Sequence, residues 1–369
     1  MVKMGRPRCT LVSASASLLR TVVATAFDRY LSWAAAAPSA QGSLMEKELI
    51  LAGLPVLFTA PAEDYYLQMM PLDGDTDLEA VFRGFCKSGD DFVDVGANIG
   101  VTAVLAARIV APGRVLAIEP MPSTFSHLQK NIDAAGLDNV NCLRLAVASS
   151  PSEVSLVARP RFGFAAYVGH AEGLDEYTDY PAKALPLDQL VADEGLRSLR
   201  FVKIDVEGYE LEVLRGAPWV LDTFKPVVFL ESNPYCLNIF QKVSLVDFIA
   251  EVLSIFPFVF ALDFTAAVSI LDLTASENLP GFYHESVVKN GFPNLICGFE
   301  ADMRERLEQI RQETVKAPPP APHVTSPESV SEGSETMTVS RRERDSILLK
   351  RRVMTKIRGA FPRRGAASS

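Results

Sequence analysis

Histidine is scarce in this chain, and the four present (His127, His170, His284 and His323) stand too far apart to pair as metal ligands. Neither an H-E-x-x-H nor a C-x-x-C motif occurs, so the sequence gives no indication of zinc. His127 falls on an expected helix and reads as a surface residue. The cysteines are few as well: Cys9, Cys86, Cys142, Cys236 and Cys297 are odd in number and widely spaced, mostly in apolar surroundings. They read as reduced thiols of a cytoplasmic protein rather than as a disulfide framework. Long apolar runs are also missing. Leu49 to Ala62 contains Pro55 and Pro61 and stops at Glu63, and Val252 to Leu262 ends at Asp263. Neither run approaches the roughly 18 residues of a membrane-spanning helix.

Net positive charge is confined to the two ends of the chain. Residues 1 to 40 carry +4 and residues 341 to 369 carry +8, so a total of −9 leaves −21 for residues 41 to 340 by subtraction. An acidic body argues against nucleic acid as the substrate of the central region. Three segments follow: an N-terminal extension (1–45), a catalytic domain (46–312) and a tail (313–369). The extension is basic and Ala/Ser-rich. It superficially resembles a secretory signal, but Arg20, Asp28 and Arg29 interrupt its apolar part, which favours a frayed helix or a targeting-like extension. Pro318 to Pro322 and the Ser/Glu-rich stretch to Ser340 read as a disordered linker. Residues 341 to 364 read as a short basic helix, either a solvated tail or a contact for an anionic surface or partner.

The 48% hydrophobic content still provides a large core. Its organising stretch is Asp91-Phe-Val-Asp-Val-Gly-Ala-Asn-Ile-Gly100, a buried strand running into a glycine bend, with a helix from Ile99 to Val110 behind it. A dinucleotide fingerprint placed on Gly96 would need glycines at 98 and 101, where the chain has Asn98 and Val101. That disfavours a nicotinamide oxidoreductase. The pattern that fits is an acid followed by G-x-N-x-G over Asp94, Gly96, Asn98 and Gly100, which resembles the first motif of class I S-adenosylmethionine (SAM)-dependent methyltransferases. Asp94 and the loop after it are expected to face the ligand crevice outside the strand ends, and a carboxylate there suits a positively charged ligand.

Strand and helix patterns alternate from there. Strands are expected at 114–119, 140–147, 200–205 and 227–231, and helices at 123–135, 187–194, 209–216 and 245–254. Such alternation implies right-handed crossovers and a parallel sheet. Phe258 to Leu262 and Asn294 to Phe299 supply two further strands. The fold class is therefore α/β: a Rossmann-like, doubly wound, mostly parallel seven-stranded sheet with an antiparallel edge strand. Before the first strand, Tyr65 to Met70 reads as a strand, and Thr76-x-x-Glu79 reads as a capping box opening a helix at 77–87.

Glu119 closes the second strand 19 residues beyond Gly100, near the spacing at which an acid accepts hydrogen bonds from ribose hydroxyls. Pro120 and Met121 can pack on an adenine, and Val147 at the end of the third strand offers apolar surface beside it. In Lys203-Ile-Asp-Val-Glu-Gly-Tyr-Glu210 the period of two puts Lys203 and Asp205 on one face, and the helix start invites Glu207 and Glu210.

Phe92 to Gly100, Glu119-Pro120 with Phe125, Leu128 and Asn131, Leu187-Asp188, Phe201 to Glu210 with Val213, Leu214 and Gly216, and Pro226 with Glu231 together resemble the FkbM family of SAM-dependent methyltransferases over roughly residues 90 to 235. The resemblance implies a class I fold, SAM as methyl donor, and O-methylation of a hydroxyl on a sugar, glycolipid or secondary metabolite. Transfer from a sulfonium is a single in-line displacement, so the protein has to align the acceptor and supply a base. Asp205 or Glu207 is expected as that base, with Glu231 as an orienting partner. No resident metal is expected; a variant with Mg²⁺ on Asp205, Glu231 and Asn233 stays open. The aromatic run Phe162 to Tyr167 and the loop Glu172 to Tyr180 are candidates for a lid. The alternative to an enzyme is a SAM-binding scaffold working through its basic tail.

Overall fold

A hairpin with one buried face precedes the main sheet. The computed structural model describes residues 43–158, 166–169, 178–264, 269–289 and 291–316. Residues 1–42 of the expected N-terminal extension and 317–369 of the expected linker and basic tail lie outside the described residues, as does most of the candidate lid, whereas residues 44–45 open the first strand and 313–316 close the last helix. Strands β1 (Leu44–Leu51) and β2 (Leu54–Pro61) form the hairpin. The next segment is a helix, α1 (Tyr65–Met69), where a strand was expected. Its Leu-Gln-Met-Met composition is apolar enough to suggest a strand, but the Asp64 carboxylate accepts the Leu67 amide at 2.8 Å and nucleates a turn. Helix α2 (Thr76–Phe85) is capped by Asp75, which accepts from Leu78 N, rather than by the expected Thr76 box. Glu79 instead accepts from Ala52 N and Arg83 Nε.

The alternating part then runs β3 (Asp91–Val95), α3 (Val101–Val110), β4 (Val115–Ile118), α4 (Pro122–Ala134) and β5 (Val140–Leu143). The expected third strand ends early: its last residues form β6 (Ala146–Val147), which leaves the main sheet and pairs with a later strand. A small sheet in the order β6, β9 (Thr178–Leu185), β7 (Ser152–Ala158), β8 (Tyr167–Val168) fills the crossover where a loop was expected. The chain continues with α5 (Leu187–Asp193), β10 (Leu199–Ile204), α6 (Glu210–Arg215), α7 (Pro218–Phe224), β11 (Val227–Glu231), α8 (Pro234–Ile239) and α9 (Leu245–Ile255). It closes with β12 (Phe258–Asp263), β13 (Ser269–Asp272), α10 (Leu279–Lys289), β14 (Asn294–Gly298) and α11 (Met303–Lys316).

The main sheet has the order β13-β12-β14-β11-β10-β3-β4-β5. It is the expected doubly wound arrangement with an eighth strand, β13, added at the edge. The antiparallel strand β14 lies inside the sheet between β11 and β12, and β13 is antiparallel at the border. Alternation along the strands sorts the core onto two faces. Phe92 and Phe201 stack at 5.1 Å and 6° on one face, with Phe82 of α2 edge-on to both, while Val93, Val95, Val202 and Ile204 fill the other. Asp94 and Lys203 lie two residues beyond Phe92 and Phe201 and are register partners, so both emerge on the phenylalanine face near the strands' carboxyl ends.

His127 is 9% exposed, correcting its reading as a surface residue, because α4 packs its face against β2. The family-pattern residue Asn131 on the same helix is fully buried. Its amide donates to Thr59 O at 3.1 Å and Ile99 O at 2.8 Å and accepts from Thr59 N, tying the hairpin to the glycine bend.

Candidate functional site

The carboxyl ends of β3, β4, β10 and β11 open into a crevice of about 670 Å³, within the size range of small-molecule sites. Gly96, Asn98, Glu119, Pro120, Val147, Asp205, Glu207 and Glu231 all line it, so the structure brings together eight of the ten expected site residues. Asp94 and Gly100 are not among them. Gly100 has φ 97° at the start of α3 and lies over Leu128, which a Cβ would approach to 2.8 Å; its role is to let the bend turn and pack.

Asp94 stands one layer behind the wall, correcting its expected exposure to the ligand. Its side chain is fully buried; Oδ2 accepts from the Thr102 hydroxyl, and Oδ1 faces the Lys203 ammonium at 3.3 Å without any hydrogen bond. Lys203, itself 5% exposed, also reaches Asp205 Oδ2 and Gly96 O, each at 3.3 Å. Burial pulls its pKa down, but Asp94 and Asp205 outweigh burial and raise it above the ordinary lysine value. The same-face reading of Lys203 and Asp205 holds. The sequence did not disclose that Lys203 bridges two carboxylates, because that depends on strand register.

The glycine bend is built for close approach. Gly96 has φ 80°, and a Cβ there would lie 1.9 Å from Asp205 O. Asn98 is also left-handed, at φ 50°, and its amide donates to Glu119 Oε2 at 3.1 Å. Glu119 Oε1 accepts from Met121 N at 2.9 Å. Burial raises the Glu119 carboxyl to about 7, against the pull of these two amides. Each oxygen keeps a lone pair for a further donor. Pro120, Leu145 and Val147 supply apolar wall beside it, whereas Met121 is buried beneath.

Carboxylates gather on the β10 and β11 side. Asp205 has a 45% exposed side chain, held by Lys203. Glu207 adopts a left-handed backbone, φ 55°, which is uncommon for a residue with a side chain. Burial and then the charge of Asp205 push its carboxyl up to about 7, and its Oε2 accepts the Cys236 thiol at 3.1 Å. Glu231 Oε1 takes a long contact of 3.5 Å from the Asn233 amide, and Oε2 is sealed from water with no donor. Burial, Asp205 and Glu207 hold Glu231 well above the carboxylate range. Glu210 turns away to accept from Val206 N and Gly208 N, so it caps this turn.

Two side chains that sequence reasoning missed now join the site. Thr102 lines the crevice and holds Asp94, and Cys236 comes in on α8, 29 residues from Glu207. Of the Mg²⁺ variant left open over Asp205, Glu231 and Asn233, the Asn233 amide oxygen is already engaged, capping α8 by accepting from Tyr235 N and Cys236 N. Of the candidate lid, only Ala166, Tyr167 and part of β9 are described. Ala166 and Val168 line the crevice, while Tyr167 stacks on Phe240 at 3.6 Å and 3°.

Lys203 is the one cation among the described lining residues, against Asp75, Asp77, Glu119, Asp205, Glu207 and Glu231. Such a crevice favours a positively charged ligand. A family profile for the methyltransferase FkbM domain matches residues 94–258. The hexuronic acid methyltransferase AglP of Haloferax volcanii is 30% identical over 200 residues, which is 54% of this chain and 79% of that protein. Methyltransferase sdnD of Sordaria araneosa is 26% identical over 46% of this chain and 78% of its own length. The crystal structure of methyltransferase FkbM from Methylobacillus flagellatus KT is similar at 21% identity and a TM-score of 0.33, over 47% of this chain and 40% of that one. The glycine bend, the strand-end acids and the AglP match over most of that protein's length converge on one conclusion: this chain belongs to the FkbM family of methyltransferases.

Proposed function

We propose that the protein is a SAM-dependent O-methyltransferase that methylates a hydroxyl of a sugar-like or other polyhydroxylated acceptor. The observation that carries this reading is the placement of Glu119. Its two oxygens are fixed by the amides of Asn98 and Met121, and each has a lone pair left for a ribose hydroxyl, beside a bend too tight for any Cβ at position 96. In this reading Gly96, Asn98, Glu119, Pro120 and Val147 hold the cofactor. Asp94 acts from behind the wall, positioning Lys203. Bound there, the sulfonium supplies an electrophilic methyl group, and the carboxylate-rich crevice complements its charge.

Asp205 is the base in this reading. It lies against the glycine bend, opens to the crevice and is held by Lys203, so it can take the acceptor's proton while its orientation stays fixed. Glu207 and Glu231 then anchor the acceptor. The name of the AglP relative, which acts on a hexuronic acid, supports a carbohydrate acceptor. The four described cysteines are free, which fits the cytoplasmic setting expected from the sequence. Among the described residues no helix is long and apolar enough to cross a membrane. The +8 charge of residues 341 to 369 supports a tail contact with an anionic surface or partner, tested by deleting residues 316 to 369.

The test of function is calorimetry with S-adenosylhomocysteine, followed by incubation with labelled SAM and a panel of glycosides, with products identified by mass spectrometry. Wild type should bind, Glu119→Ala should not, and label should enter a hydroxyl. Equal binding by the variant would remove the assigned site, and label confined to carboxyl or amine groups would remove the assigned acceptor.

A further inference from the structure

We propose that Glu207, Glu231 and Cys236 form a binding site for one divalent transition-metal ion at the acceptor end of the crevice. A ligand atom from each lies within 4.8 Å of the other two. They come from three separate elements: the turn after β10, the end of β11 and the first turns of α8. The convergence is therefore a product of the fold and not of local sequence.

The second observation is the Glu231 carboxylate. Its Oε2 is shut off from water and receives no hydrogen bond, and its other oxygen has only the 3.5 Å contact with Asn233. A buried carboxyl oxygen left without any partner calls for a donor or, in the ionised form that binds a metal, a cation. Lys203 does not supply one, because its ammonium is engaged with Asp94, Asp205 and Gly96 O. Across the cluster Glu207 has only the Cys236 thiol. A cation would relieve the crowding that burial and mutual repulsion impose on all three groups.

The thiol narrows the choice of ion. Mg²⁺ and Ca²⁺ take oxygen ligands, whereas Zn²⁺ and Co²⁺ accept mixed sulfur and carboxylate sets. On binding, the Cys236 S–H bond breaks, a metal–sulfur bond forms and the proton leaves to solvent, with no change of oxidation state. Three protein ligands leave a coordination position open toward the crevice. An acceptor hydroxyl bound there would be more acidic and would face Asp205. This use of the ion rests on the proposed methyl transfer; the site itself can be read without turnover, so each can fail alone.

The experiment is a Co²⁺ titration of tag-free, full-length protein after dialysis against a chelator. Wild type should bind one equivalent and develop a thiolate-to-cobalt charge-transfer band in the near ultraviolet. Cys236→Ser should lose that band. Glu231→Gln should weaken binding by at least the roughly ten- to hundredfold that loss of even an outer-shell partner costs. Absence of both band and binding heat in the wild type overturns the proposal, as does a band that survives in Cys236→Ser, which would place the ion on another cysteine. Should Cys236→Ser fail to fold, wild type and Glu231→Gln decide the matter: binding that Glu231→Gln leaves unchanged also overturns it.

Discussion

Asp94 and Lys203 face each other at 3.3 Å across neighbouring strands, both largely shut away from solvent, with Asp94 one layer behind the crevice wall that Lys203 lines. Because they are register partners on β3 and β10, the pair joins the two central strands just below the ligand loop. Its second ion pair, to Asp205, carries that order into the site. A buried pair of this kind says little about net stability, but breaking one half of it leaves an uncompensated charge.

Lys203→Met should therefore destabilise the protein by about 3–5 kcal/mol, while the double variant Asp94→Asn/Lys203→Met should recover most of the loss. Chemical denaturation of the single and double variants measures the coupling. Simple additivity would show that the pair is not a unit.

Gly96→Ala tests the bend. A methyl group there meets Asp205 O at 1.9 Å, and the backbone is held at φ 80°. The conformation alone costs a side chain roughly 1–3 kcal/mol, before the clash is added. A lowered Tm and lost S-adenosylhomocysteine binding are expected. Wild-type stability in this variant would mean that the bend relaxes freely and does not define the site.

Much of this arrangement was legible in the sequence, and the reasons are specific. Phe92 to Val95 and Val227 to Glu231 are β-branched or aromatic runs ended by an acid or a glycine bend, so the strand ends and their carboxylates could be placed directly. The period of two correctly put Lys203 beside Asp205. It could not show depth: Asp94 points to the correct face, yet lies below the crevice, because the strand register hands its charge to Lys203. Helix α1 was misread because its apolar run carries no visible period over five residues, and the Asp64 cap decided the outcome. Cys236 was not recoverable, since its contact with Glu207 depends on α8 packing over the β10 turn.

Asp205→Asn separates chemistry from cofactor binding. The side chain keeps its size and can still meet Lys203, but it can no longer accept a proton. Turnover should fall by about 10²- to 10⁴-fold, the range for loss of a positioned base, with S-adenosylhomocysteine affinity nearly unchanged. Single-turnover kinetics alongside calorimetry checks this. Near-normal turnover would transfer the role of base to another group.

Glu119 makes cofactor affinity depend on pH, and the sign follows from its burial. Its folded carboxyl titrates near 7, above the ordinary value of 4.5, so between those values the empty folded protein holds a proton that the unfolded chain has lost. Stability contributed by this group is thus present below 4.5 and falls as pH rises through about 7. Cofactor binding runs the other way, because two ribose hydroxyls need the ionised carboxylate as acceptor. S-adenosylhomocysteine affinity should therefore increase as pH rises through about 7, by at most about tenfold per pH unit below that point. In Glu119→Gln, which cannot ionise, affinity should be weak and flat across the same range. Calorimetric titrations of both proteins over a pH series measure the difference. A wild-type profile as flat as the variant's would show that Glu119 does not gain its ribose contacts by losing a proton.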